Sequence, residues 1–426
     1  MRVGIHTHLL HKERRMKQKL LILGGNALSC DIVKAAKSLG VYTIVTDWYD
    51  TKTSPAKLIA DEYWDISTTD YHTLSEKIKE EGIQGILTGF SDSYLLPYQH
   101  LCELNNLPCY ATKEQFEWTL DKASFKAKCK QYGVPVVPEY ELREFDPKQI
   151  NKANRVIIKP VDNSGSRGIC LCDNPGDFQK MLEHSLEFSE KKQVVIERYM
   201  DCDDVSFEYT IQDGEVMLSA ICDRYIYRTN EAGSVTSKLI YPSQYLSDYI
   251  ADADNKVRQM FKKEGLRNGV LFMQAFMEDG KFYFYEMGYR LSGGRHYIFT
   301  EHENGRSAVK ELIRFAVTGS MSDEQLGRRI NPDYNDVCCQ LSIICKTDII
   351  SKIEGWQKIA SMPEVIDALL THKEGDEVGK QGTTASITAR LHVVAKSMED
   401  LKRIEEKVYS TLKVRNAKGE NLVIRS

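Results

Sequence analysis

The sequence lacks the patterns that mark several common classes of protein. Its 11 cysteines are scattered, without a C-x-x-C pair or a Cys/His cluster at zinc-ligand spacing. No apolar run reaches the ~18 residues of a membrane-spanning helix, and 57 Lys and Arg nearly balance 61 Asp and Glu. We therefore expect a cytoplasmic protein with reduced cysteines that binds neither nucleic acid nor a membrane.

The chain of 426 residues is too long for one ordinary core and suits roughly three to four domains. Near the start, short apolar runs punctuated by Gly alternate with a helical pattern, which predicts βαβ units and a parallel sheet. Later segments mix hairpins and helices, so the predicted fold class is α/β with α+β domains. The predicted limits are 1–16 for a disordered leader, 17–118 for a Rossmann-like domain, 119–228 for a small domain with a linker helix, 229–330 for a larger domain and 331–426 for a C-terminal α+β domain.

Lys159 stands at the end of a predicted strand and is followed by a loop rich in Gly and Ser. Glycines in such a loop permit positive φ and close approach, so that backbone N–H groups can surround a phosphate. Lys159 would add a positive charge beside them. Taken alone, an ordinary turn with a solvated lysine is equally consistent with the segment, which is not a Walker A loop. The candidate loop residues are Ser164, Gly165, Ser166 and Gly168.

A second predicted strand, 194–200, carries Glu197 close to its end. Free backbone groups at a strand end can bind the edge of an adenine ring, with Glu197 accepting from the exocyclic amine. A glutamate that simply meets solvent is the alternative. Asp204 and Glu208 follow, and either can accept from a ribose hydroxyl or be surface charge.

Gln274 and Glu286 lie on two strands joined by a turn at residues 278–281. A carboxylate at a strand end can hold Mg²⁺, and an amide oxygen can assist it. A three-residue loop, or a bulge that gives the same count, would place these two residues opposite each other on one sheet face. A strict two-residue turn would place them on opposite faces.

Arg290 follows the predicted metal carboxylate by four residues, where it can stabilise charge on a transferring phosphoryl group. Gly293 and Gly294 then offer backbone donors for a substrate carboxylate. For Arg290 and the nearby Arg295, salt bridges on the surface are the alternative.

Together these segments resemble the ATP-grasp superfamily, in the branch of carboxylate–amine ligases that includes L-amino-acid ligases, carbamoyl-phosphate synthase and biotin carboxylase. The resemblance implies an ATP site between two mixed α/β domains, preceded by the Rossmann-like domain. It implies Mg²⁺ as the metal, with Mn²⁺ as an alternative, and small-molecule carboxylate and amine substrates. The resemblance implies that Lys122, Lys159 and the loop 164–168 bind the ATP phosphates, that Glu197 and the backbone of Arg198 and Met200 bind adenine, and that Asp204 binds ribose. It implies that Gln274 and Glu286 bind the metal and that Arg290 and Lys159 act in catalysis. It also implies that the substrate is bound by Arg290, Gly293, Gly294 and Arg295.

One departure from the family pattern concerns the metal site. Relatives often have Glu-Met-Asn-Pro-Arg, whereas this chain has Gly288 at the Asn position, and an amide, Gln274, where many relatives have Glu. We expect a site that depends on ATP phosphates to complete the metal shell. A bicarbonate-using carboxylase or carbamoyl-phosphate-type enzyme, and an ATP-binding protein without catalysis, remain alternatives to the ligase.

The acceptor substrate is less constrained by the sequence. Residues 223–242, which include Arg224, Arg228 and Lys238, are predicted to face the acceptor pocket. His296 and Glu301 are candidates for a general base, although an ordinary surface histidine is the simpler interpretation. Monomer and homodimer are both open.

Overall fold

The computed structural model describes residues 18–161, 168–229, 234–322 and 329–425. The predicted leader, 1–16, lies outside these residues. No helix within the described ranges is long and apolar enough to cross a membrane. A parallel sheet followed by antiparallel sheets confirms the predicted fold class.

The first domain is a four-stranded parallel sheet in the order β3-β2-β1-β4. Its strands are continuous apolar runs because helices cover both faces of such sheets. This confirms the parallel sheet that the Gly-punctuated pattern predicted. The elements are β1 (Lys19–Leu23), α1 (Ser29–Ser38), β2 (Tyr42–Thr46), α2 (Ala56–Ile59), β3 (Glu62–Trp64), α3 (Tyr71–Glu80), β4 (Gly85–Thr88) and α4 (Leu95–Leu104).

Two helices then lead into a small antiparallel sheet in the order β5-β8-β6-β7. The second helix starts at Asp121, whose side chain accepts a hydrogen bond from the backbone N–H of Ser124. One face of the sheet is covered by a helix and forms a separate apolar core. The elements are α5 (Lys113–Leu120), α6 (Lys122–Gln131), β5 (Glu139–Tyr140), β6 (Val156–Pro160), β7 (Cys170–Cys172), α7 (Phe178–Glu187) and β8 (Val194–Arg198).

The rest of the chain is built on one nine-stranded sheet with the main order β13-β12-β9-β10-β11-β14-β17-β16. Two further strands, β15 and β18, pair with each other beside it. The elements are β9 (Asp203–Gln212), β10 (Glu215–Arg228), β11 (Ser234–Tyr241), α8 (Leu246–Asp252), α9 (Asp254–Lys263), β12 (Gly269–Glu278), β13 (Lys281–Gly288), α10 (Tyr297–Asn304), α11 (Ala308–Thr318), β14 (Val337–Cys345), β15 (Lys352–Glu354), α12 (Trp356–Ala360), β16 (Val365–Leu370), β17 (Ile387–Ala395), α13 (Met398–Thr411), β18 (Lys413–Arg415) and β19 (Val423–Ile424).

This sheet corrects one predicted assignment. The predicted limits put the hairpin β9–β10 in the small domain, 119–228, but β9 pairs with β12 and β10 with β11. The predicted boundary at 228 is therefore wrong in terms of sheet membership, and the small sheet ends with β8. The local hairpin pattern is visible in the sequence, whereas its partner strand lies more than fifty residues away and leaves no local signal.

Candidate functional site

A cavity of about 490 Å³ lies between the small sheet and the nine-stranded sheet. Lys159 and Glu197 line it from the small sheet, and Gln274 and Glu286 line it from the large sheet. The structure thus brings together the lysine and the acidic hairpin that the sequence analysis placed on opposite sides of a triphosphate. A second cavity of about 700 Å³ shares Lys122 and Glu286 with the first.

The hairpin β12–β13 places Gln274 directly opposite Glu286. Its turn has two residues, Asp279 and Gly280, both with positive φ (48° and 75°), which is the pattern of a type I′ turn. A two-residue turn alone would place Gln274 and Glu286 on opposite faces of the sheet. A bulge leaves Tyr285 unpaired and adds one residue to β13, so that the two side chains lie on the same face. The bulged version of the geometric prediction is therefore confirmed.

The oxygens of Gln274 and Glu286 are free to bind a cation. Neither side chain forms a hydrogen bond or an ion pair with another described residue, and both are half-buried at the cavity wall. A carboxylate and an amide oxygen are hard donors of the kind that Mg²⁺ prefers.

Gly288 occupies the position at which the resemblance implies a further metal ligand. A Cβ atom at this glycine would lie 2.4 Å from the ring of Phe272. The ring fills the space that an asparagine side chain would need, so the departure seen in the sequence is built into the packing.

Ile157 of β6 pairs with Glu197 of β8, and Lys159 lies two residues after Ile157. Because alternate residues of a strand face the same side, Lys159 and Glu197 both lie on the cavity face of the small sheet. The Lys159 ammonium lies 2.5 Å from the Glu197 carboxylate, and the buried Lys126 binds the same oxygen. Burial and the neighbouring lysines, against the pull of Glu197, lower the pKa of Lys159. Burial would raise the pKa of Glu197, but the two lysines lower it.

The two lysines limit what the Glu197 carboxylate can bind. The sequence analysis expected its side chain to accept from the adenine amine, but two ammonium groups already occupy the carboxylate. The backbone N–H groups of Arg198 and Tyr199 also donate within the protein, to Pro138 and Arg155, each at 2.9 Å. Met200, which is buried and lines the cavity, remains as a candidate at the strand end.

Asp204 was predicted to bind ribose, but its carboxylate is already held inside the protein. Arg224 donates to it at 2.9 Å and the Tyr285 hydroxyl at 3.0 Å. Burial raises the pKa of Asp204 in spite of the neighbouring arginine. Both Asp204 and Arg224 line the cavity, so a ribose hydroxyl would have to join this existing network.

Arg290 forms a two-pronged ion pair with Asp92 of the first domain, with N–O distances of 2.6 and 2.7 Å. Its guanidinium also lies 5.1 Å from the centre of the Phe272 ring. This arrangement fixes the side chain four residues beyond Glu286 and next to the second cavity, which Asp92 lines.

Arg295 is a correction to the predicted substrate site. It is buried, and it forms ion pairs with Asp31 of the first domain, at 2.8 Å, and with Asp367 of β16. It therefore joins three parts of the chain and does not line the nucleotide cavity. Gly294, its neighbour, accepts a hydrogen bond at its carbonyl from His392 at 3.1 Å.

The phosphate loop is described only at one end. Ser164, Gly165 and Ser166 lie outside the described residues. Gly168 has φ 73°, and a Cβ there would lie 2.5 Å from Phe188, so only glycine fits.

The remaining candidates divide between two environments. Arg224 and Arg228 line the cavity, whereas Lys238 points elsewhere and pairs with Glu405. His296 is fully enclosed, and burial lowers its pKa to about 3, so the expectation of an ordinary surface histidine is wrong. Glu301 pairs with Lys310 at 2.6 Å.

Two further groups of residues around the cavity were not predicted from the sequence. Lys126 lies one helical turn after Lys122 on α6, a spacing that was visible in the sequence. Residues 382–384 of the C-terminal part also line the cavity. Their position follows from the continuous large sheet, for which no local pattern gives a signal.

Comparison with known proteins adds an independent line of evidence. Residues 153–296 match the model of the ATP-grasp domain, and this range contains Lys159, Glu197, Gln274, Glu286 and Arg290. This segment is therefore identified as a domain of the ATP-grasp superfamily. ATP and Mg²⁺ are the cofactors of this superfamily, and the oxygen donors and lysines of the cavity fit both.

Several known proteins are similar to this chain over most of its length. The 2-oxoglutarate carboxylase small subunit of Hydrogenobacter thermophilus is 25% identical over 74% of this chain and 70% of the relative. The biotin carboxylase domain of that enzyme, solved with MgADP, has a TM-score of 0.73 at 20% identity over 96% of this chain and 91% of that one.

Other similarities are more limited: one spans a small part of the relative's length, and the other shows only a common fold. The carbamoyl phosphate synthase large chain of Clostridium beijerinckii is 23% identical, and the match spans 63% of this chain but only 25% of that one. The L-amino acid ligase of Bacillus licheniformis has a TM-score of 0.76 at 16% identity, over 93% of this chain and 98% of that one. At this level of identity the structures show a common fold.

Proposed function

We propose that this ATP-grasp protein is a ligase that activates a small-molecule carboxylate as an acyl phosphate and passes it to an amine, with ADP and phosphate as products. The observation that carries the proposal is the single cavity lined by Lys159 from one sheet and by Glu286 from the other. A triphosphate in this cavity would meet a cation on one side and metal-binding oxygens on the other.

The nucleotide would be held from several elements. Lys159 and Lys122, with the loop 164–168, would bind the phosphates, and Lys126 would keep Glu197 ionised beside them. The strand end at Met200 would bind adenine through its backbone groups, and Asp204 would accept from ribose within its Arg224 network. Gln274 and Glu286 would hold Mg²⁺, which neutralises phosphate oxygens when bound.

In the first step, an oxygen of the substrate carboxylate attacks the γ-phosphorus of ATP. A bond forms between that oxygen and phosphorus, and the bond to the β,γ-bridging oxygen breaks, so that ADP leaves. Lys159 and Arg290 offset the charge on the transferring oxygens. The ion pair with Asp92 keeps the guanidinium of Arg290 oriented.

In the second step, the amine nitrogen attacks the acyl carbon. The bond from carbon to the phosphate oxygen breaks, phosphate leaves, and the proton of the amine passes to phosphate or water. Backbone N–H groups at Gly293 and Gly294, together with Arg290, would stabilise the tetrahedral oxyanion. His296 is a poor proton acceptor, because burial lowers its pKa to about 3.

A bicarbonate-using carboxylase is the second candidate. The observation that favours it is the 25% identity with a protein named as a carboxylase subunit over 74% of this chain. In that case bicarbonate would be the carboxylate that attacks ATP, and the same residues would hold the nucleotide.

The deciding experiment measures ADP and phosphate release with Mg-ATP and a panel of paired amino acids, with and without bicarbonate. The ligase predicts release that rises at least tenfold with one carboxylate–amine pair, together with an amide product in equal amount. Stimulation by bicarbonate alone would support the carboxylase. Nucleotide binding without turnover in any mixture would contradict both enzymes and favour a non-catalytic ATP-binding protein.

A further inference from the structure

Arg390 is a cation without a counter-ion on the functional face of the large sheet. It lies on β17, opposite Ser342 of β14 and Leu369 of β16. Arg390 is half-buried, and its guanidinium forms no hydrogen bond or ion pair with any residue in the described ranges. Guanidinium groups in such positions are normally matched by a carboxylate or another acceptor.

Arg295 differs from Arg390 because it has counter-ions. Arg295 lies nearby and has two carboxylates, Asp31 and Asp367. Burial and the charge of Arg295 lower the pKa of Arg390 to about 10, so its guanidinium is still protonated at neutral pH. Asp367 is engaged by Arg295 and lies 3.3 Å from His392, and therefore leaves the charge of Arg390 unmatched.

A hydroxyl donor stands beside this cation. Gln340 of β14 donates a hydrogen bond from Nε2 to the Ser342 hydroxyl at 2.9 Å. Ser342 acts as acceptor in this bond, and no described residue accepts the hydrogen of its hydroxyl. Ser342 and Arg390 face the same side because they are register partners. A charged donor and a neutral donor thus lie side by side on one face of the sheet.

The same face touches the glycines proposed to bind the reacting substrate. His392, two residues from Arg390 on β17, donates to the Gly294 carbonyl at 3.1 Å. A Cβ at Gly294 would lie 4.0 Å from the Gln340 side-chain oxygen. Arg390 therefore lies on the same sheet face as His392 and Gln340, two residues that lie beside Gly294.

We propose that Arg390 and Ser342 bind an oxyanion group, carboxylate or phosphate, on the acceptor substrate whose reacting end lies at Gly293 and Gly294. The oxyanion site is inferred from the Arg390 guanidinium, which has no counter-ion among the described residues, and from the Ser342 hydroxyl hydrogen, which no described residue accepts. Its assignment to the acceptor rests on the proposed ligase function. The acceptor substrate would therefore carry both an amine and an anionic group.

The test is a titration of the full chain with inorganic phosphate or with acetate, with Mg²⁺ and a saturating non-hydrolysable ATP analogue present so that the nucleotide phosphate sites are filled. Thermal stability is the readout, because a ligand that binds only the folded state raises Tm. We expect saturable stabilisation by at least one anion, and its identity separates a phosphate site from a carboxylate site.

Two variants and a control make the result specific. Arg390→Gln should raise the half-saturating anion concentration roughly tenfold or more, because a charge-assisted pair is lost, and Arg390→Lys should give an intermediate value. Arg403→Gln removes an exposed arginine paired with Asp400 and should behave as wild type. Without anion, Arg390→Gln should have a Tm equal to or above that of wild type, because it removes an unmatched charge.

Equal half-saturation in wild type and Arg390→Gln, or no saturable response to either anion, would overturn the proposal. A Tm of Arg390→Gln far below wild type without anion would show a structural role and would overturn it as well. Failure of the nucleotide analogue to bind wild type would count against the ligase function instead. The difference in half-saturating anion concentration between wild type and Arg390→Gln would then decide the role of Arg390.

Discussion

Gln274 and Glu286 face each other across a hairpin only because Tyr285, next to Glu286, is bulged out of the pairing. The Tyr285 hydroxyl donates to Asp204, at 3.0 Å, on β9, which lies two strands away across β12. One extra residue therefore sets the metal-binding pair and ties it to the Asp204–Arg224 network. Bulges next to functional sites commonly redirect a side chain in this way.

Gly288→Asn should not add a metal ligand. The new Cβ would lie 2.4 Å from the Phe272 ring, so we expect destabilisation of about 1–3 kcal/mol and no gain in Mg²⁺ affinity. Denaturant unfolding and a Mg²⁺ titration check both parts. Gly293→Ala is the matched control for stability, since no atom lies within 4 Å of the place that its new methyl group would take. A stable Gly288→Asn variant with tighter metal binding would refute the packing argument.

Lys159→Ala should raise the apparent KM for ATP about tenfold, because a positive charge beside the phosphates is lost. Lys126 remains to neutralise Glu197 in this variant. Steady-state kinetics with varied ATP provide the measurement. Lys180→Ala, an exposed lysine on α7, should match wild type. An unchanged KM in Lys159→Ala would remove that lysine from the phosphate site.

Asp92→Asn should lower kcat by about 10- to 100-fold with little change in the KM for ATP. Asp92 holds both prongs of Arg290, and a misplaced guanidinium stabilises the transferring phosphoryl group less well. The split between kcat and KM distinguishes this positioning role from general damage, which would also lower Tm. A wild-type kcat would show that Arg290 does not need the pair.

Stability should fall in acid partly through Asp367. Burial would raise the pKa of this carboxyl, but His392 and Arg295 lower it below the usual range. A carboxylate whose folded-state pKa is depressed stabilises the fold above its unfolded pKa of about 4, and this contribution is lost as pH falls toward the folded value. Wild type should therefore lose more unfolding free energy between pH 6 and pH 3 than Asp367→Asn. Parallel losses would contradict the assignment.

Much of the local structure could be predicted because it depends on nearby residues. The parallel strands of the first domain, the β12–β13 hairpin and the strand-end positions of Lys159 and Glu197 all follow from patterns within a few residues. The partners of buried charges could not be predicted. Arg295 meets Asp31 and Asp367 only because three distant segments converge, and Glu197 is occupied by Lys126 only after the small sheet packs on α6.

The central claim is that a triphosphate and Mg²⁺ lie between Lys159 and Glu286. Calorimetric binding of a non-hydrolysable ATP analogue, with and without Mg²⁺, tests it most directly. We expect Mg²⁺ to tighten binding at least tenfold in wild type, Glu286→Ala to lose this effect, and Lys159→Ala to weaken binding with or without the metal. Nucleotide binding that neither substitution alters would contradict it.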